Sequence, residues 1–435
     1  NLHSNNIATI TEVYSRLLSN LTILELYRNN IATINEGAFT GLSNLKGLYL
    51  HNNKISRIEK EMFQGLHNLE ILNLHSNNIA TITEGVFSML SNLTILYLGS
   101  NSISTIKEGL FTGLSNLKSL HLWKNDISTI KEGFFTGLSN LERLDLWMND
   151  ISTINEGAFT GLSNLKELNL WDNNIATIKE GTFMGLSNLK ELDLSDNNIA
   201  TIKEGTFTGL SNLKELYLHN NLIEKYEDGA FLFLTSIVEI NLKNNNLMRC
   251  GCHLPAFVKY IKEVYNRTVA VFGTCQEGSG KRIPILDYSQ CQNYSLFQRN
   301  LQCQTCSGIT CNDSKVTSCP EAEPVCRFAI SMNGTKLKTE RSCSTYRKCV
   351  EAMINNTLTC NKRTNSTSCT GCCVGHLCNK NDFIGWTKSL VFRLIFKKFN
   401  EYKIPAENIS RAVSRYLPSL SLSPYTDARA RTHMH

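Results

Sequence analysis

Residues 165–188 read Leu165-Lys-Glu-Leu168-Asn-Leu170-Trp171-Asp-Asn173-Asn-Ile175-Ala-Thr-Ile178-Lys-Glu-Gly181-Thr-Phe183-Met-Gly185-Leu186-Ser-Asn188, and this stretch decides the fold. Its skeleton, LxxLxLxxNxIxxIxxGxFxGLxN, returns every 24 residues without insertion, opened in turn by Leu21, Leu45, Leu69, Leu93, Leu117, Leu141, Leu165, Leu189 and Leu213. Self-similarity at a fixed period of this size is the mark of a stacked repeat. A tenth copy, Ile237 to Asn245, runs into the first cysteine, and residues 1–20 read as the end of an earlier copy. Each unit holds one short strand, Leu24 and Leu26 in the first, whose apolar face cannot be buried alone. Stacking the copies pairs these strands side by side and closes a continuous core.

Most of the repeated identities have packing explanations. Asn29, Asn53, Asn77 and their successors to Asn245 are expected to satisfy backbone groups in the turn after each strand. Phe39, Phe63, Phe87 and so on to Phe231 are expected to stack as an aromatic spine. Gly37, Gly85, Gly109 and their equivalents permit torsions that other residues resist. No Pro occurs before Pro255, as an unbroken ladder requires.

The array resembles the extracellular leucine-rich repeat family, a resemblance carried by nine complete in-phase copies. It implies an α/β-type repeat solenoid, a horseshoe with a parallel sheet on its concave side, over residues 1–247. The variable positions around the two central Leu of each strand then line that concave side, since alternate residues of a strand point to opposite faces. One column reads Tyr27, His51, His75, Gly99, Trp123, Trp147, Trp171, Ser195, His219, Lys243. Its neighbour reads Glu25, Tyr49, Asn73, Tyr97, His121, Asp145, Asn169, Asp193, Tyr217, Asn241. Three of the four Trp are consecutive in one column, with Lys124, Arg143 and Met148 beside them and acid further along at Glu167, Glu191, Asp193 and Asp196. Strands roughly 4.8 Å apart would make Trp123, Trp147 and Trp171 a strip about 10 Å long. Exposed Trp, Tyr and Arg are the residue types of protein-binding hot spots. The candidate ligand-binding set is therefore Tyr97, His121, Trp123, Lys124, Arg143, Asp145, Trp147, Asn169, Trp171, Asp193 and Tyr217. The bland alternative is that the rings only cover their neighbours' Leu. His51 and His75 could bind zinc in geometry, but zinc sites want three or four ligands.

All 16 Cys fall between Cys250 and Cys378, an even count that reads as a disulfide framework formed in the secretory pathway. Nine sequons, at Asn20, Asn92, Asn266, Asn293, Asn312, Asn333, Asn355, Asn365 and Asn408, agree with an extracellular, glycosylated chain. Cys250-Gly-Cys252, the amphipathic stretch His253 to Tyr265, Cys275 and Cys291 resemble the C-terminal flanking cap of extracellular leucine-rich repeats, placed at 248–298. That resemblance implies the pairs Cys250 to Cys275 and Cys252 to Cys291; Leu247-Met248-Arg249 departs from the cap's usual Pro-Trp before the first Cys.

From Cys303-Gln-Thr-Cys306 to Cys372-Cys373-Val-Gly-His-Leu-Cys378-Asn379 the text resembles the lymphocyte-antigen and urokinase-receptor family. This implies a small disulfide-rich all-β three-finger domain over 299–380, with pairs Cys303 to Cys326, Cys306 to Cys311, Cys319 to Cys343, Cys349 to Cys372 and Cys373 to Cys378. Cys360 and Cys369 remain and are expected to bridge to each other. A zinc site from the CxxC pairs is the weaker reading, because an oxidising compartment favours disulfides.

Charge excludes one class of partner. Lys and Arg number 44 against 38 Asp and Glu, and the excess of +6 sits in the tail from Lys380, with 10 basic and 4 acidic residues. The remainder is neutral, which is not the footprint of a nucleic-acid binder. Residues 381–435 read as a basic, unstructured tail; its apolar clusters are interrupted by Arg393, Lys397 and Lys398, too charged to span a bilayer. With Asn1 first and no apolar leader before it, the chain is expected to be a fragment. Membrane attachment is left to a missing anchor or a co-receptor.

No GxSxG, HExxH or phosphate loop occurs, so neither catalysis nor a cofactor is expected. The sequence thus points to a secreted or cell-surface recognition protein of receptor or adhesion type, holding an extracellular protein or glycan on the concave face. The competing reading is a matrix or adhesion spacer with no ligand patch.

Overall fold

The computed structural model describes residues 1–11, 18–291 and 294 in full, and beyond them the backbone of five strands between residues 302 and 373. Contacts divide the chain into two compact units, Asn1–Leu296 and Phe297–His435.

In the first unit, one three-residue strand per repeat, from Ile23–Glu25 to Glu239–Asn241, joins a parallel sheet of eleven strands that ends on Ala270–Phe272. The 24-residue period sets the register. Ile23 pairs with Gly47, Leu24 with Leu48 and Glu25 with Tyr49, and the offset recurs at Arg143 with Glu167 and Asp145 with Asn169. Identical repeat positions therefore lie side by side as columns. The central Leu of each strand, Leu48 to Leu216, is fully or almost fully buried, as are the Leu two residues on. Two-residue strands such as Thr129–Ile130 and Thr153–Ile154, which the sequence reading does not anticipate, pair in twos between some adjacent repeats.

The Asn column ties each repeat to the one before it. Asn149 Nδ2 donates to the carbonyls of Leu122 and Leu146, 3.0 Å each, and its Oδ1 accepts the Ile127 N–H at 3.2 Å. The same set recurs at Asn53, Asn125, Asn173, Asn197, Asn221 and Asn245. One buried amide thus satisfies backbone groups on two rungs, which a turn alone would leave orphaned. The Phe spine stacks at 6.1–6.5 Å between centroids from Phe63 to Phe183, and Phe207 and Phe231 continue it. Each such ring contributes on the order of 1.5–3 kcal/mol by burial. Gly37, Gly85 and Gly109 do sit at positive φ, 75°, 77° and 80°.

After the last repeat, helix α1, His253–Tyr265, buries Leu254, Phe257, Tyr260 and Ile261 and ends on Asn266 in the left-handed conformation. Phe257 meets the end of the spine, its ring 6.4 Å from that of Phe231. Disulfides join Cys250 to Cys275 and Cys252 to Cys291. His253 is 2% exposed, and burial pulls its imidazole down to about 4 against the opposing effect of Asp228; the Gly229 N–H points at its Nε2 from 3.1 Å.

In the second unit the described strands, Gln302–Gly308, Lys315–Ser318, Pro324–Asn333, Lys336–Thr345 and Ser368–Cys373, form one antiparallel sheet. The six bridges expected between Cys303 and Cys378, the sequons Asn293, Asn312, Asn355, Asn365 and Asn408, the side chain of Asn333 and the tail 381–435 all lie outside the described residues. Asn20, Asn92 and Asn266 are exposed. Among the described residues no helix is long and apolar enough to cross a membrane.

Candidate functional site: the concave face

Each strand presents three concave positions, and the register turns them into three rows running along the solenoid. The row holding the indoles is a continuous stack. His3 and Tyr27, then Tyr27 and His51, lie 4.5 Å apart at 9°, and His51 and His75 lie 4.7 Å apart at 18°. Trp123 and Trp147 stack at 4.9 Å and 6°, and Trp171 follows at 5.5 Å, tilted by 39°. Between the two halves stands Gly99, whose missing side chain leaves room for Trp123 to lie across it. A Cβ there would fall 2.6 Å from Trp123 Cδ2 and Nε1. The indole so placed reaches His75, 6.0 Å away. At the other end Trp171 Nε1 donates to Asp196 Oδ2 at 2.9 Å.

The three indoles thus share one face of the sheet on adjacent rungs, but they are half-buried and turn their faces to one another, leaving edges toward the solvent. Their stacking also assigns His51 and His75. Burial, then His75 and Arg28, pulls His51 down to about 4, and burial lowers His75. These imidazoles are neutral rungs of the ladder. Among the described residues no group of three or more His, Cys, Asp or Glu converges as a metal site.

In the middle row Tyr97 stacks on His121 at 4.5 Å, and His121 Nδ1 donates to Asp145 Oδ2 at 2.5 Å. Arg143, from the third row, donates through Nε to the same oxygen at 3.1 Å and through its Nη1 to Glu167 Oε2 at 2.5 Å. Asp145, expected to face solvent as an orienting charge, is only 4% exposed, because His121 and Arg143 close over it. Burial raises its pKa, and the bonds from His121 and Arg143 outweigh that and leave it below the usual carboxylate range. Its Oδ1 is buried without a hydrogen-bond partner.

The remaining members of the candidate set make their hydrogen bonds outside this cluster. Asn169 Oδ1 accepts the Trp171 N–H at 2.9 Å, a local turn role, and Asp193 Oδ1 does the same for Ser195. Tyr217 donates to Glu215 Oε2 at 2.6 Å, and that bond, burial and the neighbouring acids hold its phenol protonated. Lys124 is exposed in the turn beside the indoles, at φ 53°.

Two features escape a residue-type reading. One is the aromatic ladder's extension through Tyr27 and His3. The other is the third row, which changes character at Arg143: Ile23, Gly47, Ile71, Ile95 and Ser119 precede it, and Glu167, Glu191, Glu215 and Glu239 follow. Both are visible once the columns are read vertically.

Comparison with known proteins agrees with this geometry. A leucine rich repeat family model matches residues 1–55, 19–79, 43–103 and 67–122, and a model of the BspA type leucine rich repeat region matches 128–249. The chain is a leucine-rich repeat protein. No curated protein matches it. Among solved structures it is similar to TLR13 from the TLR13–ssRNA13 complex, with 31% identity over 55% of this chain and 35% of that one and a TM-score of 0.52. It is similar to a chain of the Drosophila Toll–Spatzle complex at 23% identity, covering 55% and 32%, TM-score 0.53. A third similar structure is the octameric complex of Latrophilin 3, Unc5D and FLRT2, whose FLRT2 part is given as LRR: 24% identity, 67% and 89% covered, TM-score 0.56. The chain spans about a third of the length of the first two. The last two likenesses, being below 25% identity, speak for the fold alone.

Proposed function

We infer that this is an extracellular recognition protein of receptor or adhesion type, whose concave face holds a ligand across Trp123, Trp147 and Trp171 and the Tyr97–His121–Asp145–Arg143 cluster beside them. The observation that carries the reading is the convergence of three indole edges and a fixed guanidinium on adjacent rungs of one face. Aromatic and Arg side chains held rigid in this way lose little entropy on binding and are the types that dominate interface energetics. TLR13, the similar structure above 25% identity, is described in complex with ssRNA13, and a ligand-bound assembly supports the same class. Residues 248–298 act in this reading as the cap over the solenoid's apolar end, supported by the two disulfides and by Phe257 against Phe231. Residues 299–380 act as a three-finger module that adds a second contact, a reading supported by the cysteine text and the antiparallel sheet.

A second reading, a rigid spacer, is favoured by the stacking itself, since a ladder of rings that touch each other stabilises the solenoid without any ligand. Capture of extracellular proteins and glycans on the immobilised full chain, wild type against Trp147→Ala, separates the two. The recognition reading expects capture by the wild type and its loss in the variant with circular dichroism unchanged. Equal capture by both leaves the spacer.

A further inference from the structure

The third concave row is electrostatically one-sided in a way that packing does not require. Glu167, Glu191, Glu215 and Glu239 occupy successive strands in register, so four carboxylates stand in a line with neighbours roughly 4.8 Å apart. Like charges directly opposite each other across strands destabilise a sheet. The equivalent positions of the first five repeats are Ile, Gly and Ser, so the repeat itself makes no demand for acid there. Burial, then Glu167 and Glu215, raise the Glu191 pKa, and Asp193 adds to them; Arg143 opposes them. Arg143 is committed at the head of the line, bonded to Glu167 and Asp145. Among the described residues Glu215 accepts a side-chain hydrogen bond from the phenol of Tyr217 and from no cation. Beside the head of the line, in the middle row, stands a second, independent feature: Asp145, more than nine-tenths buried, keeps one carboxylate oxygen without a hydrogen-bond partner.

We propose that the partner presents a cationic, extended protein segment that lies along the solenoid axis over the carboxylates of Glu167, Glu191, Glu215 and Glu239, flanked by the edge of Trp171. This rests on the concave-face reading above and names the chemistry of its ligand. The geometry fits such a segment. The four carboxylates span three strand spacings, roughly 14 Å, and an extended chain repeats its side-chain direction about every 6.8 Å, so alternating Lys or Arg at i, i+2 and i+4 cover about 13 Å. The central cation then lies between Glu191 and Glu215 and the outer two lie over Glu167 and Glu239, turning a repulsive line into a paired one. A polyanion, whether RNA or a sulfated glycan, meets the same row as repulsion. The row costs stability in the free protein and returns it on binding, as functional sites commonly do.

The test uses the full chain and fluorescence anisotropy of labelled ten-residue peptides, one alternating Lys with Ser and one alternating Glu with Ser, at low and high salt. The Lys–Ser peptide is expected to bind and to weaken as salt rises, and the Glu–Ser peptide not to bind. The Glu191→Gln/Glu215→Gln protein is expected to bind the Lys–Ser peptide roughly tenfold more weakly at low salt. It is also expected to melt at a higher temperature than the wild type, since the substitution relieves the repulsion. Glu132→Gln/Glu156→Gln, the same change of net charge at exposed positions off the concave strands, leaves binding as it was. Equal loss in both double variants, no preference for the Lys–Ser peptide, tighter binding of an RNA oligonucleotide or heparin, or a lower melting temperature for Glu191→Gln/Glu215→Gln overturns the proposal. Each of these outcomes leaves the Trp147→Ala capture result standing on its own.

Discussion

Gly99→Ala isolates the device on which the aromatic row depends. The residue needs no left-handed backbone, and the three atoms nearest a Cβ there all belong to the indole of Trp123. In isolation the change gains about 0.4–1 kcal/mol by restricting the unfolded chain. Against that, a Cβ within 2.6 Å of Trp123 Cδ2 and Nε1 forces the ring away from its seat. Two ring contacts are then lost or misaligned, to Trp147 at 4.9 Å and to His75 at 6.0 Å, each worth about 0.5–1.5 kcal/mol. The net expectation is a loss of about 0.5–2 kcal/mol. In a Trp123→Ala background the obstacle is gone and the same substitution turns stabilising by about 0.4–1 kcal/mol. The sign reversal is the signature, and a double-mutant cycle measured by urea unfolding with circular dichroism reads it as a coupling of about 1–3 kcal/mol. If Gly99→Ala has the same effect with and without Trp123, the indole does not lie across residue 99, and the ordered strip on which recognition is built goes with it.

Asn149→Ala removes three hydrogen bonds to buried backbone groups of two repeats and is expected to cost about 3–5 kcal/mol in the same urea assay, whereas Asn140→Ala, on the exposed side, costs under about 1 kcal/mol. Met148 sits at φ 52° where Asn52, Asn220 and Asn244 occupy the equivalent turns, so Met148→Asn should raise the unfolding midpoint by the equivalent of about 0.5–1 kcal/mol; a lower midpoint would show that the thioether's packing outweighs the torsion. His253 is held near pKa 4 in the folded chain against about 6.5 when unfolded, so its contribution is complete above pH 6.5 and is lost as the pH falls toward 4. That interval corresponds to about 3 kcal/mol. The wild type should therefore lose more stability between pH 7 and pH 4.5 than His253→Phe does, and parallel pH profiles would refute the assignment.

The repeat made the solenoid legible because each invariant position has a single structural role. Leu168, Asn173 and Phe183 mean the same thing in every copy, so period and residue type together place strand, turn and spine. The concave site was legible only in part, since its residues vary and their arrangement depends on neighbours 24 positions away. Trp123, Trp147 and Trp171 could be placed on one face, but their orientation could not be inferred from their own column entries; it is set by the absence of a side chain at Gly99 and by Asp196 taking the Trp171 N–H. Asp145 was misjudged as solvent-facing because alternation along a strand gives direction and not cover, and the cover comes from His121 one strand away and Arg143 two residues before it. The zinc reading of His51 and His75 fails to find further ligands among the described residues for the same reason: the column brings their faces together, not their lone pairs toward a third donor.

The orientation of the indoles also narrows the chemistry of whatever they meet. Trp123 and Trp147 cover each other's π-faces, and Trp171 covers the outer face of Trp147. Cations prefer those faces, and the rim of an aromatic ring carries the positive end of its quadrupole. A partner's Lys or Arg therefore gains little over Trp147, and its charge is drawn to the third row, where burial and then Glu167 and Glu215 on the adjoining strands raise the Glu191 pKa. The indole edges are left for apolar and aromatic groups, which shed water there without competing for charge. The concave face thus separates its two tasks by row, apolar contact along the indoles and charge selection along the glutamates. Charge reversal at Glu191 should accordingly change the salt dependence of capture, while Trp147→Ala should weaken capture by a similar factor at every salt concentration.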